Sequence, residues 1–212
     1  PFRRIALPQE PAQRRPRRPL TEIEIGVLEE RFSNRDDELS RITMVLLHTG
    51  MRLSECLGVL AEECRSVGKN YVIHLAPNEL RRLKTASSRR TVPVLGASAR
   101  ALRLQLMLHT SGPLFPKYAT KPDMQRVTVS HLLNKRFKAA LGPGATVHGL
   151  RHAFRDRLRA SEVPSEALDF LGGWARRGVG ASYGYGYSEE QLISYVSRIL
   201  PEGCGNDHWA KQ

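Results

Sequence analysis

Apolar positions recur along this chain with two different periods, and the change of period divides it into elements. From residue 21 to 32, Ile25, Leu28 and Phe32 fall three and four apart, the spacing of one helix face. Thr21 stands before them as a helix cap, and Glu24, three residues on, completes a capping box. A strongly apolar run from Ile42 to Leu47 follows. Gly50 provides the stop after it, and Ser54 is placed to cap the short helix beyond. The period then shortens to two. YVIHLA at 71–76 and RRTVPV at 89–94 are β-branched runs separated by polar, turn-prone residues, which predicts a small antiparallel sheet.

Helical spacing returns at 97–109 and again at about 128–141, where it closes on Gly142-Pro143-Gly144. A further helix runs from near His148 to about Ala160, and a short one opens at Pro164 and ends at Gly172-Gly173. Ser188, with Gln191 three residues later, caps a last amphipathic helix carrying Leu192, Ile193, Val196, Ile199 and Leu200. The expected fold class is mainly α with one small antiparallel β-sheet, an α+β domain without internal repeats. Residues 1–19, with five prolines and the run RRPRRP, read as a basic linker or tail rather than a folded element. That leaves 20–200 as the globular domain and 201–212 as a C-terminal tail.

Charge changes this picture more than composition does. Apolar residues are 41% and charged residues 25% of the chain, ordinary values for a globular protein. The 33 Lys and Arg against 21 Asp and Glu are not ordinary, and give a net charge of +12. Residues 1–19 hold six Arg and one Glu, so +5 of that total sits in the tail and +7 on the rest. A basic globular surface attracts polyanions, nucleic acid foremost; a solvated basic surface kept for solubility is the alternative. Three cysteines without metal-ligand spacing fit reduced thiols in a cytoplasm. No apolar run nears the ~20 residues that span a bilayer. Aromatic content of 7% argues against a single-strand stacking platform and for a duplex binder.

Four separated clusters carry candidate chemistry: Arg52 with Glu55 in TGMRLSE; Lys84 in LKTASSRRTVPV; His148 and Arg151 in HGLRH; and Trp174 followed by the tyrosines of SYGYGYS. Two arginines can grip a phosphate bidentately and keep their charge at neutral pH. The three-residue step from His148 to Arg151 puts both on one helix face. Taken singly, each cluster has a plain reading. Arg52 and Glu55 can be a surface ion pair, His148 a helix-start residue, Lys84 part of a basic surface with Arg81 and Arg82, and Trp174 a packing residue.

Taken in order, the clusters resemble the tyrosine recombinase and phage integrase family. The resemblance extends to the text around them (LLHTGMRLSECLGV, SRRTVPV, HGLRHAF and FLGGW) and covers roughly residues 20–200. It implies a catalytic domain that cuts and rejoins double-stranded DNA through a 3′-phosphotyrosyl link, serving integration or excision of a mobile element. Arg52 and Arg151 are then the pair on the scissile phosphate, with Glu55 in support. His148 takes a hydrogen-bonding and proton-transfer role, and Lys84 is the general acid for the 5′-hydroxyl. Trp174 stands where many members have His; its indole N–H can hold a phosphate oxygen but cannot shuttle a proton.

In the Trp-bearing members that this chain resembles, the nucleophile lies nine residues after Trp. That step selects Tyr183 over Tyr185 and Tyr187, while glycines at 178, 180, 184 and 186 depart from the commoner family text and keep Tyr185 in play. No cofactor or metal is expected. The resemblance also implies a tetramer on paired sites, with the last helix docking on a neighbouring subunit or else capping its own domain. It implies an N-terminal DNA-binding domain beyond this sequence, and a bacterial or phage-encoded cytoplasmic protein. A DNA-binding module on the same fold without catalysis, or a topoisomerase or resolvase with the same chemistry, are the competing expectations.

Overall fold

The computed structural model describes residues 18–83, 85–119, 122–174 and 186–201, with only the backbone described at Ala86 and 122–125. Helix α1 (Glu22–Ser33) starts where its sequence says. The Thr21 hydroxyl accepts from the Glu24 amide at 3.2 Å, and the Glu24 carboxylate accepts from the Thr21 amide at 2.9 Å. Helix α2 (Glu38–Leu47) is capped by Asp37 and is buried from Leu39 to Leu47, which makes it the hub of the main core. Leu28 and Phe32 of α1, together with Phe115 and Phe137, close around it. Helix α3 (Leu53–Leu57) follows after the turn at Gly50.

Ser54 does not cap α3, contrary to the expectation from its position. Arg52 is the N-cap residue, and its amide donates instead to the Glu55 carboxylate at 2.8 Å. A charged acceptor close to the first-turn donors displaces the weaker hydroxyl. The sheet holds the two expected strands, β2 (Asn70–Leu75) and β3 (Arg90–Val94), and one that the pattern did not reveal, β1 (Cys64–Val67). The order is β1-β2-β3, antiparallel throughout, with Val72 opposite Pro93 and Ile73 opposite Val92. β1 buries neither face fully, so it carries no alternation for a sequence pattern to detect.

Helices α4 (Gly96–Leu108), α5 (Pro122–Leu141) and α6 (Val147–Ala160) complete the main body. α5 begins about two turns before its apolar spacing does. It also prepares α6: the Asn134 side-chain oxygen accepts from the Val147 amide at 2.9 Å, while Thr146 accepts from Gly149. α7 (Ser165–Gly172) ends on Gly173 in the left-handed region, and α8 (Glu189–Ser197) opens with the Ser188–Gln191 capping box. α6, α7 and α8 enclose a second core of Phe154, Leu158, Leu168, Leu171, Leu192 and Val196. Among the described residues no helix is long and apolar enough to cross a membrane.

Gly50 joins the two cores and sets the course of the chain into the site. Its φ is +60°, and a Cβ there would fall 2.2 Å from Cδ1 of Phe154. Gly50→Ala therefore combines a left-handed backbone penalty with overpacking, and should cost about 2–4 kcal/mol. A urea-unfolding midpoint unchanged from wild type would contradict that packing.

Candidate active site

The turn after α2 delivers Arg52, α3 delivers Glu55, β3 delivers Arg90 and α6 delivers Arg151, and the four side chains meet. Glu55 is at the centre, its side chain 4% exposed. Its Oε1 accepts from Arg52 Nη1 at 2.5 Å, and its Oε2 accepts from Arg90 Nη2 at 3.0 Å. Arg52 reaches on to the Ser88 hydroxyl at 3.0 Å and the Gly173 carbonyl at 3.3 Å. Arg90, fully enclosed, donates through Nε to the Leu171 carbonyl at 2.9 Å and so ties β3 to α7. Burial alone would raise the Glu55 pKa, but the charge and hydrogen bonds of Arg90, with help from Arg52, hold it below its ordinary value. Arg52 and Glu55 are thus not a plain surface ion pair.

Arg151 is the cation left over. It is 5% exposed, and its Nη1 donates to the Gly50 carbonyl. Its Nη2 is buried and has no hydrogen-bond partner among the described residues. Burial, and then the neighbouring charge of Arg52, pull this guanidinium down to about 9. It remains protonated at neutral pH, so a charged donor is held out of water with one nitrogen unsatisfied. Three arginines against one carboxylate leave the cluster with a surplus of two positive charges. An oxyanion able to accept from two guanidinium groups is the species that would satisfy it.

The remaining expected residues fall in different places. His148 is the second residue of α6, one turn before Arg151, exposed, with its ring edge-on to His152 at 4.7 Å. Trp174 follows the left-handed Gly173, and the Arg151 guanidinium carbon lies 4.5 Å from its ring centre. Lys84, Tyr183 and Tyr185 lie outside the described residues. Tyr187 packs between Phe170 and Tyr195, each ring 5.9 Å away, and belongs to the second core.

Sequence reading missed Arg90 and misjudged Arg81. Arg90 shares the buried face of β3 with Val92 and Val94, and a charge in phase with a strand's apolar face was the available signal. Arg81 is no surface residue. It is 2% exposed and donates to the Gly58 carbonyl at 2.9 Å and to Glu63, pinning the segment before Lys84 onto the end of α3.

Residues 27–184 match the family model described as the phage integrase family. Among solved structures, the fold is similar to that of the Tn1549 transposon integrase in complex with transposon right end DNA, at 18% identity and a TM-score of 0.58. That match covers 88% of this chain and 67% of the other. The same integrase in complex with circular intermediate DNA matches at 19% identity and a TM-score of 0.55, over 80% of this chain and 64% of that one. This chain therefore spans about two thirds of the length of those integrase chains. No curated protein matches it.

Proposed function

This chain belongs to the phage integrase family, and on that premise we propose that it is the catalytic domain of a tyrosine recombinase that cuts and rejoins duplex DNA. The observation that carries the reading is the unsatisfied, buried Nη2 of Arg151 beside Arg52, in a cluster with two surplus positive charges. Folding desolvates that cation, and a scissile phosphate would restore its lost partner. Arg52 and Arg151 would hold the two non-bridging oxygens, with Glu55 and Arg90 fixing Arg52 from behind. The net charge of +12 supports a polyanionic partner.

In the proposed reaction the Tyr183 oxygen attacks phosphorus and forms a 3′-phosphotyrosyl bond. The bond from phosphorus to the 5′-oxygen breaks, and Lys84 supplies the proton to the departing 5′-hydroxyl. His148, exposed at the start of α6, handles the tyrosine proton. The phosphodiester bond energy is kept in the protein–DNA link, so a second 5′-hydroxyl can reverse the step on another strand. A tyrosine pKa near ~10 makes the arginine cluster necessary for attack at neutral pH. We further propose that the full protein adds an N-terminal DNA-binding domain to the unit at 20–200, with 1–19 as linker and 201–212 as tail. It would work as a tetramer on paired sites, in the cytoplasm, to integrate or excise a mobile element.

A nicked suicide duplex spanning the joined ends of the element that encodes the chain tests this reading. Wild type should form a covalent adduct that survives denaturation, and Tyr183→Phe should form none. Adduct retained in Tyr183→Phe but lost in Tyr185→Phe would move the nucleophile two residues on. Binding without adduct in the full-length protein would leave a DNA-binding module.

A further inference from the structure

Trp174 meets α6 through the face of its indole ring. The guanidinium carbons of Arg151 and Arg155, one helical turn apart, lie 4.5 and 4.8 Å from the ring centre. The indole is seated from the α7 side. Its main-chain amide donates to the Asp169 carbonyl at 3.0 Å, and the preceding Gly173 has a φ of +60°. A Cβ on Gly172 would fall 1.8 Å from Cζ3 of Trp174, so the ring lies where only a bare Cα leaves room. Asp169 also takes the Arg155 guanidinium, with Nη2 at 3.3 Å from its carboxylate, while the Arg155 Nε is buried without a hydrogen-bond partner among the described residues. One aspartate therefore fixes the indole through its main chain and Arg155 through its side chain.

Two guanidinium groups one turn apart repel each other, yet both lie against one ring. A π face attracts each cation, and the planar guanidinium stacks on it in a defined plane. Among the described residues the Arg151 guanidinium donates to one acceptor, the Gly50 carbonyl from Nη1, and one such bond does not by itself define the plane of the group. We propose that Trp174 and Arg155 are positioning residues. With Asp169 they form a clamp that fixes the plane of the Arg151 guanidinium, so that its unsatisfied Nη2 faces the phosphate. The inference rests on the strand-cutting reading above and assigns Trp174 a task of its ring face. A phenyl ring can perform that task and an aliphatic side chain cannot.

The test uses two nicked duplexes on the same joined-end sequence, one with an ordinary scissile phosphate and one with a neutral methylphosphonate there. The ratio of their dissociation constants reads the grip on that one charge, and a wild-type preference of roughly ten- to a hundredfold is expected. Arg155→Ala should shrink the ratio by about three- to tenfold, leaving affinity for the neutral duplex as it was. Trp174→Phe should keep the ratio within about threefold of wild type, and Trp174→Leu should lose as much as Arg155→Ala. Equal weakening on both duplexes in Arg155→Ala, or Trp174→Phe failing as badly as Trp174→Leu, would overturn the clamp. A wild type that discriminates but forms no adduct overturns the strand-cutting reading and leaves the clamp standing. One that does neither overturns both.

Discussion

Arg151→Ala should lower the rate of adduct formation on the suicide duplex by about 10²–10³ while leaving the folded state no less stable than before. The two halves of that result come from the same geometry. Arg151 is buried with one nitrogen unsatisfied, and its depressed pKa is a folding cost carried by the protonated form at every pH below about 9. Removing it gives up the donor bond to Gly50, the contact with the Trp174 ring and the attraction of Glu55, and against these it relieves the desolvation and the repulsion from Arg52, the two largest effects on its charge. The phosphate-bound state loses a charged donor in a water-poor site, where such a bond is strongest. Arg151→Lys should rescue little, because an ammonium cannot both bond Gly50 and present a second nitrogen in a fixed plane. Urea midpoints together with single-turnover adduct rates check both halves. An Arg151→Ala protein much less stable than wild type would mean that the arginine holds the fold and that its activity loss is secondary.

Glu55→Ala should show the opposite balance, with a stability loss of about 3–5 kcal/mol preceding any effect on chemistry. Its carboxylate accepts from Arg52 and Arg90, and the Arg90 side chain is wholly enclosed. Without Glu55 an uncompensated cation remains between β3 and α7. Glu55→Gln keeps the shape and one acceptor but loses the charge, so it should recover part of the stability. The pH dependence has a definite sign. The Glu55 pKa is lowered in the folded protein, so its contribution is fully present above the ordinary carboxylate value and fades as pH falls through the lowered one. The stability gap between wild type and Glu55→Gln should therefore be constant at neutral pH and close on the acid side, below about 4. A gap that persists unchanged in acid would show that packing, not charge, holds this centre.

Local signals in the sequence were reliable where one element satisfies itself. The capping boxes at Thr21 and Ser188, the stop at Gly173 and the alternation in β2 and β3 each rest on residues close together in the chain. They are legible because the physics is local. Failures came where a side chain had a choice that distance along the chain conceals. Ser54 lost the cap to a carboxylate that also serves Arg90, and β1 exists only because β2 pairs with it.

The amino-acid sequence by itself determined the helices and the strands β2 and β3, and it supplied the candidates for the proposed chemistry in family order: Arg52, Glu55, Lys84, His148, Arg151, Trp174 and Tyr183. Only the tertiary structure decided how the arginines divide their work. Arg90 finds Glu55 35 residues away and Leu171 81 residues away, Arg81 finds Gly58, and Arg155 joins Trp174 and Asp169. Every arginine carries the same charge in a sequence. Whether that charge is paired and silent or buried and short of a partner depends on what folding brings beside it, and here folding satisfies Arg90 and leaves Arg151 unsatisfied.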